Sequence, residues 1–436
     1  MSKSDRKAGL QENHQIIRSG FPDPVLTVAL LPLTLSLTWI SPAVAQLIPD
    51  NTLGAESSVV TPLDTLNDRI DGGALRGSNL FHSFQDFNID TGRGAYFSNP
   101  AGIENILTRV TGGNPSNIFG TLGVLGDANL FLVNPNGIVF RPNARLDVGG
   151  SFFASTAEGV NFLDGYQFSA TNPDVPPLLT INVPIGLQFG ANPGGIVNQS
   201  TTTPIINGEE SLVSLQVPSG ETLALVGGNL LFDGGGIISP GSRVELAGLA
   251  APGTVGLNPD GSLSVPPDVP RADVSILNES GVIVAAGNGG SITIHARNFE
   301  LSGGGGLLAG IAPGMGSPDS QAGDIDIHAT GNVNLRQSRI FNDVEPGAVG
   351  DGGDLNVQAG SLSVTEGAQI FASTFGQGNA GSVNVTATDT VAFKDSGAFS
   401  RVEPGVVGDG GDINIQTGSL SVTEGTQLIS STFGQG

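Results

Sequence analysis

The sequence VEPGAVGDGGDLNVQAGSLSVTEGAQIFASTFGQG at 344–378 returns further along the chain, at 402–436, as VEPGVVGDGGDINIQTGSLSVTEGTQLISSTFGQG. In both copies, short apolar–polar alternations are separated by glycine-rich phrases, and no stretch has the 3.6-residue period of a helix. Alternation of this kind is typical of β-strands that bury one side and expose the other. The repeat therefore predicts a chain of many short strands that turn at glycines.

A shorter repeat lies inside this long one. A glycine followed by two apolar residues at alternate positions recurs at Gly290, Gly323, Gly353, Gly381 and Gly411. One unit contains three predicted strands, at 354–358, 361–365 and 368–375. A period of about 30 residues that is made of strands indicates a β-solenoid, whose coils pair with the coils above and below. The sequence thus predicts an all-β fold, a right-handed parallel β-helix over most of residues 50–436.

The composition excludes several classes of function. With 17 basic and 40 acidic residues, the 436-residue chain has a formal charge of −23, which disfavours nucleic acid and anionic membranes as partners. The absence of cysteine excludes disulfides, thiol catalysis and thiolate metal sites. We expect no cofactor and no bound metal, although the Asp- and Gly-rich corners leave calcium binding as an alternative to simple turn formation.

The N-terminus has the pattern of an export signal. Four basic residues precede an uncharged apolar run at 25–40, and small residues at Ala43 and Ala45 precede Gln46 in the arrangement of a signal-peptidase site. The run is shorter than the roughly 20 residues that a membrane-spanning helix needs. We therefore expect residues 1–45 to be a signal peptide, removed before Gln46, and the protein to be secreted or surface-located.

The phrase NPNG at 134–137 stands between two predicted strands, at 128–133 and 138–140. Asn134 can accept a hydrogen bond from the backbone two residues on, Pro135 presets the next φ, and glycine suits the fourth position of a type I turn. The phrase predicts a sharp corner between coils.

The region around this corner resembles a known family, the secretion domain of filamentous-haemagglutinin-like exoproteins of two-partner secretion systems. The resemblance covers roughly residues 50–255 and rests on RVTGGNPSNI at 109–118, ANLFLVNPNGI at 128–138 and GGSFFAST at 149–156. Arg141 stands where many relatives have glycine, and NPAGI at 99–103 takes the place of a second family phrase.

The resemblance implies how the chain is organised. A signal peptide at 1–45 would precede a secretion domain at 46–265, which also caps the β-helix. Repeats of about 30 residues would follow at 266–436. The repeats stop in mid-unit, so we expect a C-terminally truncated chain.

The resemblance also implies a mode of export. A partner outer-membrane transporter with periplasmic docking domains would bind the unfolded secretion domain and pass the chain through the outer membrane of a Gram-negative-type bacterium. On this interpretation Asn134, Pro135, Asn136, Gly137 and Ile138 contribute to recognition or to nucleation of the first coils. The alternative is that they only shape a corner. A host or neighbour-cell surface, or a glycan, would be the ligand of the exported adhesin-like protein.

Evidence for catalysis in the sequence is weak. No G-x-S-x-G phrase occurs, although a Ser-His-Asp triad is recognised by geometry and not by spacing. His295 and His328 occupy equivalent places in neighbouring repeats, which predicts that they stack as a ladder. We expect no enzymatic activity. Two alternatives remain open: a pectin-lyase-like polysaccharide-degrading enzyme that uses acids at Asp324, Asp326, Asp351 and Asp354, or a structural surface-layer component.

Overall fold

The structure is a computed structural model that describes residues 46–173, 179–201, 205–206, 209–210 and 214–435. The predicted signal peptide, with Ala43 and Ala45, lies outside these residues. Within the described part there is no helix, and so none that could cross a membrane. Parallel strands wind into stacked coils with three faces, which confirms the prediction of a right-handed parallel β-helix.

Face 1 has a strand in each of eleven coils, and the last three strands continue around the corner into face 2. The face 1 strands are Asn79–Phe87, Asn105–Val110, Asn129–Val133, Phe152–Ser155, Thr222–Gly227, Arg243–Gly248, Ser291–Ala296, Ile325–Ala329, Leu355–Thr365, Val383–Lys394 and Ile413–Thr423. The separate strands of face 2 are Ser116–Ile118, Ile138–Phe140, Ile196–Asn198, Leu230–Asp233, Val274–Leu277, Phe299–Ser302 and Asn332–Arg336.

Face 3 is formed by two sheets. The first contains Asn67–Gly72, Gly94–Ser98, Thr121–Leu125 and Arg145–Asp147. The second contains Gly236–Ile238, Gly281–Ile283, Gly306–Ile311, Arg339–Val344, Gln369–Phe371, Gly397–Val402 and Gln427–Thr432. A short parallel pair, Gly316–Gln321 with Val349–Asp351, lies beside the second sheet, and Ile205–Ile206 pairs with Glu209–Glu210.

The repeat length inferred from the sequence holds for the C-terminal coils and is too long for the first ones. Ile325 is in register with Leu355 in the later coils, whereas Leu80 is in register with Ile106, which is closer in sequence, in the first ones. The face 2 strands have three residues in the first coils and four or five in the later ones. The boundary predicted after residue 265 falls between strands Leu263–Ser264 and Val274–Leu277, and it stays a prediction.

The tube interior is filled by rows of aliphatic and aromatic residues, one residue per coil. Leu130, Phe152 and Leu223 are successive members of one such row, and each is completely buried. Strands in register therefore bury the same inward position in every coil, which is what stabilises a solenoid whose single coils cannot enclose a core.

Antiparallel strands cover the N-terminal edge of the tube. Leu47–Pro49 and Ala74–Arg76 both pair with the first face 1 strand, Asn79–Phe87, and Ser58–Pro62 pairs with the first face 3 strand. These strands form hydrogen bonds with the edge-strand amides and carbonyls that another parallel coil would otherwise pair with. The N-terminal region thus caps the β-helix.

A five-stranded antiparallel sheet lies outside the tube, against face 1, and is called the outer sheet. Its strands are Gly159–Phe162, Gln167–Ser169, Pro184–Phe189, Gly253–Leu257 and Leu263–Ser264. Two insertions supply it, one between the face 1 residues Phe152 and Leu223 and one between Val244 and Ile292. A second hydrophobic core forms where outward-pointing face 1 residues, among them Phe131, meet this sheet.

Candidate functional site

The NPNG phrase forms the turn that the sequence predicts. The Gly137 amide donates to the Asn134 carbonyl oxygen at 3.1 Å, closing a four-residue turn. The Asn136 amide donates to Oδ1 of Asn134 at 3.0 Å. Gly137 has φ of 121°, a backbone region that favours glycine. The corner lies within one coil, between its face 1 and face 2 strands, and not between coils as predicted, because the coil still has to form face 3 before the next begins.

This corner is the middle layer of three stacked Asn-Pro corners, at 114–115, 134–135 and 192–193. Toward the lower layer, Nδ2 of Asn134 donates to the Asn114 carbonyl oxygen and to Oγ of Ser116, both at 3.0 Å. Toward the upper layer, the Pro135 carbonyl oxygen accepts from the Gly194 amide at 3.0 Å.

The upper contact leaves no room for a side chain, since a Cβ on Gly194 would lie 2.5 Å from the Gly137 nitrogen. The three layers therefore fit only with glycine at this position.

Burial divides the predicted recognition residues into two groups. Asn134 and Ile138 have no exposed surface, and Gly137 is also buried. Pro135 is half-buried and Asn136 is exposed, although Nδ2 of Asn136 donates to the Gly112 carbonyl oxygen at 2.8 Å. In the folded protein, a partner can therefore reach only the tip of the corner.

Gln46, the first residue after the predicted cleavage site, is exposed and leads directly into the cap. Its carbonyl oxygen accepts from the Asn88 amide at 3.1 Å, and the strand Leu47–Pro49 follows. Cleavage before Gln46 would leave this cap strand intact.

Arg109 joins three parts of the N-terminal region, although little in the sequence indicates this role. Its side chain is 1% exposed. Nε donates to Oγ of Ser83 in the coil below at 3.0 Å, and the two terminal nitrogens donate to Oγ1 of Thr52 in the cap and to the Ser169 carbonyl oxygen in the outer sheet, at 2.7 and 2.6 Å. The guanidinium also lies 4.3 Å from the centre of the Phe168 ring. A sequence pattern alone would predict an exposed arginine in this strand. Arg109 is buried because the outer sheet packs over it.

Asp50 completes this polar cluster beneath the cap. Burial alone would raise its pKa, but hydrogen bonds from Thr111, Thr52 and Ser83 outweigh that effect and lower the pKa below 3.8. The carboxylate therefore stays charged and holds the cap to the first two coils.

Ser58 and His82 form a buried pair that resembles part of a catalytic triad. Oγ of Ser58 lies 3.0 Å from Nδ1 of His82, and burial lowers the pKa of His82 to about 3. Nε2 of His82 has no hydrogen-bond partner among the described residues, and both side chains are buried. The pair lacks the carboxylate that would orient the imidazole and lacks access for a substrate.

The acids singled out in the repeats accept hydrogen bonds from the next coil. Oδ1 of Asp324 accepts the Asp354 amide, and Oδ1 of Asp354 accepts the Ser382 amide, both at 2.8 Å. Asp351 accepts the Asn379 amide in the same way, and Asp326 accepts from the side chain of Asn356. These carboxylates act as rungs between coils.

His295 and His328 stack as predicted, with ring centres 5.1 Å apart and an interplanar angle of 17°. Both rings are half-buried. Across the described part of the chain, no group of three or more His, Cys, Asp or Glu residues is arranged to hold a metal ion.

Comparisons with known proteins agree with this architecture. A family model described as the TPS secretion domain matches residues 45–294. The crystal structure of the HMW1 secretion domain from Haemophilus influenzae is 16% identical, with a TM-score of 0.54, over 88% of this chain and 99% of that one. The crystal structure of a filamentous hemagglutinin secretion domain is 15% identical, with a TM-score of 0.27 over the same shares. No curated protein matches the chain. The likeness to the HMW1 domain shows a common fold.

Proposed function

Because the chain belongs to the TPS secretion domain family, the filamentous-haemagglutinin-like exoproteins of two-partner secretion, we propose that it is an adhesin-like surface protein without catalytic activity. A partner outer-membrane transporter exports such a chain across the outer membrane to the cell surface or beyond. The proposal adds that the transporter's periplasmic docking domains bind residues 134–138 while the chain is unfolded.

The burial of this corner is the observation that carries the recognition step. Asn134 and Ile138 are inaccessible once the coils have formed, so a transporter that reads them must do so before folding. An extended segment can add as a strand to an exposed sheet edge, with alternate side chains entering pockets. The same residues would then serve twice, first in recognition and afterwards in the stack of corners.

The adhesin-like assignment is supported by how the acids are used. A glycan-degrading β-helix enzyme needs carboxylates that are free to exchange protons with a substrate. Asp324, Asp351 and Asp354 instead accept backbone amides from neighbouring coils. This use favours a binding or structural surface over a catalytic one.

Export of corner variants tests the recognition step. With the partner transporter co-expressed, we expect the double change Asn134→Ala and Asn136→Ala to leave the protein in the periplasm. Asn342→Ala is the matched control, because Asn342 is as buried as Asn134 and its Nδ2 also donates two bonds of 3.0 Å, but it lies outside the family match. The measurement is the ratio of secreted to periplasmic protein on immunoblots.

Equal export of both variants would contradict recognition and leave 134–138 as an ordinary corner. If the corner variant and the Asn342→Ala variant both stay in the periplasm, the export defect comes from lost stability, which would also contradict recognition. N-terminal sequencing of secreted wild-type protein provides a separate test of the cleavage site, for which we expect Gln46 as the first residue.

A further inference from the structure

A groove of about 340 Å³ opens where the second insertion rejoins face 1. One wall is the end of that insertion, and the floor is formed by outward positions of three successive coils. Its main lining residues are Pro267, Arg271, His328, Gln358, Thr386 and Thr388. The groove lies apart from the 134–138 corner and the cap, and its lining residues Pro267 and Arg271 fall within the family match at 45–294.

Arg271 gives the groove a positive charge that the protein leaves without a counterion. One terminal nitrogen donates to the His328 carbonyl oxygen at 2.8 Å, and no carboxylate among the described residues lies within ion-pair distance. Half-burial lowers the pKa of Arg271 but leaves the group charged. A half-buried cation without a partner is costly, and in a chain of charge −23 it is unusual.

The neighbouring His295 does not change this charge balance. Burial, followed by the charges of Arg271 and His328, lowers the pKa of His295 to about 3, so His295 is neutral at physiological pH. The adjacent guanidinium disfavours a metal cation between the two rings. Oδ1 of Asp326, two residues before His328, accepts from the side chain of Asn356. Asp268 and Asp389, next to the lining residues Pro267 and Thr388, are not within ion-pair distance of Arg271. The groove therefore suits an anion.

The floor of the groove offers hydrogen-bonding side chains at regular steps. His328, Gln358 and Thr386 are in register on adjacent coils, roughly 4.8 Å apart. Gln358 and Thr386 are exposed. The floor strands are paired on both sides, so they have no free backbone edge for a peptide strand to join. Side-chain amides and hydroxyls fit the hydroxyl groups of a sugar chain.

We propose that this groove binds a carboxylate-bearing polysaccharide, with Arg271 pairing a uronate group and Gln358 and Thr386 binding hydroxyls of adjoining sugars. A planar carboxylate matches the fork of a guanidinium better than a point charge does. This inference rests on the surface-ligand function proposed above and names its ligand class.

Binding of polygalacturonate to the purified mature protein tests the site. Fully methyl-esterified polygalacturonate is the neutral control with the same backbone, and dextran sulfate and poly-glutamate are the anionic controls. Calorimetry should show binding to polygalacturonate alone. Arg271→Gln should weaken it about tenfold or more, as should Thr386→Glu, which places an acid on the exposed floor. Arg336→Gln is the matched control, since it removes one charge from an exposed residue paired with Glu366 on face 2.

Equal binding to the methyl ester, or to dextran sulfate or poly-glutamate, would overturn the proposal, as would no binding to polygalacturonate. Retained binding by either Arg271→Gln or Thr386→Glu would overturn it too. Thr386→Glu keeps the test valid if Arg271→Gln fails to fold. Because export is scored separately on secreted protein, a wild-type protein that is exported normally but does not bind polygalacturonate would reject the ligand and leave the two-partner assignment intact.

Discussion

Asp343 shows how one buried side chain can make the stability of the C-terminal coils depend on pH. It lies on face 3 with 4% of its surface exposed, and its Oδ1 accepts the amide of Ser373 in the next coil at 2.7 Å. Burial raises the pKa of Asp343 to about 7, and Glu345 nearby adds to the rise, while the Ser373 amide and Arg401 oppose it. The group therefore titrates close to neutral pH.

Asp343→Asn should remove a pH dependence that the wild type has. Because the pKa in the folded chain is above its ordinary value of 3.8, the folded state binds more protons than the unfolded state between about pH 4 and pH 7. The contribution of Asp343 to the free energy of unfolding is complete below pH 4 and falls as the pH rises through 7, by up to about 4 kcal/mol. Asparagine keeps the acceptor without the charge.

Urea unfolding of both proteins at several pH values measures this difference. The variant should gain stability relative to wild type from pH 4 to pH 8. Asp389→Asn, which removes a carboxylate from an exposed residue two coils further on, is the matched control. A constant difference between Asp343→Asn and wild type across this range would contradict the assignment.

Among the elements, the cap and the outer sheet set the N-terminal coils apart from the rest. In these coils, outward face 1 residues such as Phe81, Leu107 and Phe131 are buried under the outer sheet. In the C-terminal coils, the corresponding outward residues are polar, as at Asn356 and Asn384, whose side chains are hydrogen-bonded to each other at 2.9 Å. The secretion domain thus has a second core beneath the outer sheet, whereas the second cluster in the repeats consists of four residues, Ile311, Ala322, Val344 and Ala348.

Arg109→Ala should destabilise the secretion domain by about 3 kcal/mol, because it removes the link between coil, cap and outer sheet and leaves their acceptors unpaired. Arg141→Ala is the control, since Arg141 is exposed and its side chain donates a single described hydrogen bond, to Oε1 of Gln199 at 3.0 Å. That change should cost less than about 0.5 kcal/mol. The melting temperatures of both variants, from thermal unfolding, measure this difference. Similar melting temperatures for the two would show that the cluster does not hold these elements together.

Sequence reasoning succeeded where structure is local. The alternation around Leu355 and Leu362 and the NPNG turn each depend on residues close in sequence, and the structure has both. The outer sheet escaped prediction because its strands pair at long range, as Leu187 does with Val255. Arg109 escaped for the same reason, since its acceptor Ser169 lies far along the chain. Distant pairing leaves no periodic signal in the sequence.

At the scale of the whole molecule, the coils form a nearly one-dimensional stack. Most contacts between strands join a coil to the coil directly above or below. Stability in such a stack is close to a sum of coil terms and interface terms, and folding can spread from a region that is already closed. Only the N-terminal end of the described tube carries a cap, together with the outer sheet. Folding that begins there would give each emerging coil a finished edge to pair with.

This asymmetry predicts that residues 46–311 fold alone and that residues 312–436 do not. The first piece keeps the cap, the outer sheet with its core and the N-terminal part of the tube core, and it ends after a complete coil at strand Gly306–Ile311. The second piece loses its lower partner, so inward residues such as Ile325 and Ile340, which are fully buried in the whole chain, become exposed at its edge. Circular dichroism and urea unfolding should show a cooperative β-fold for the first piece only. A cooperative transition in the second piece, or none in the first, would show that the cap does not nucleate the stack.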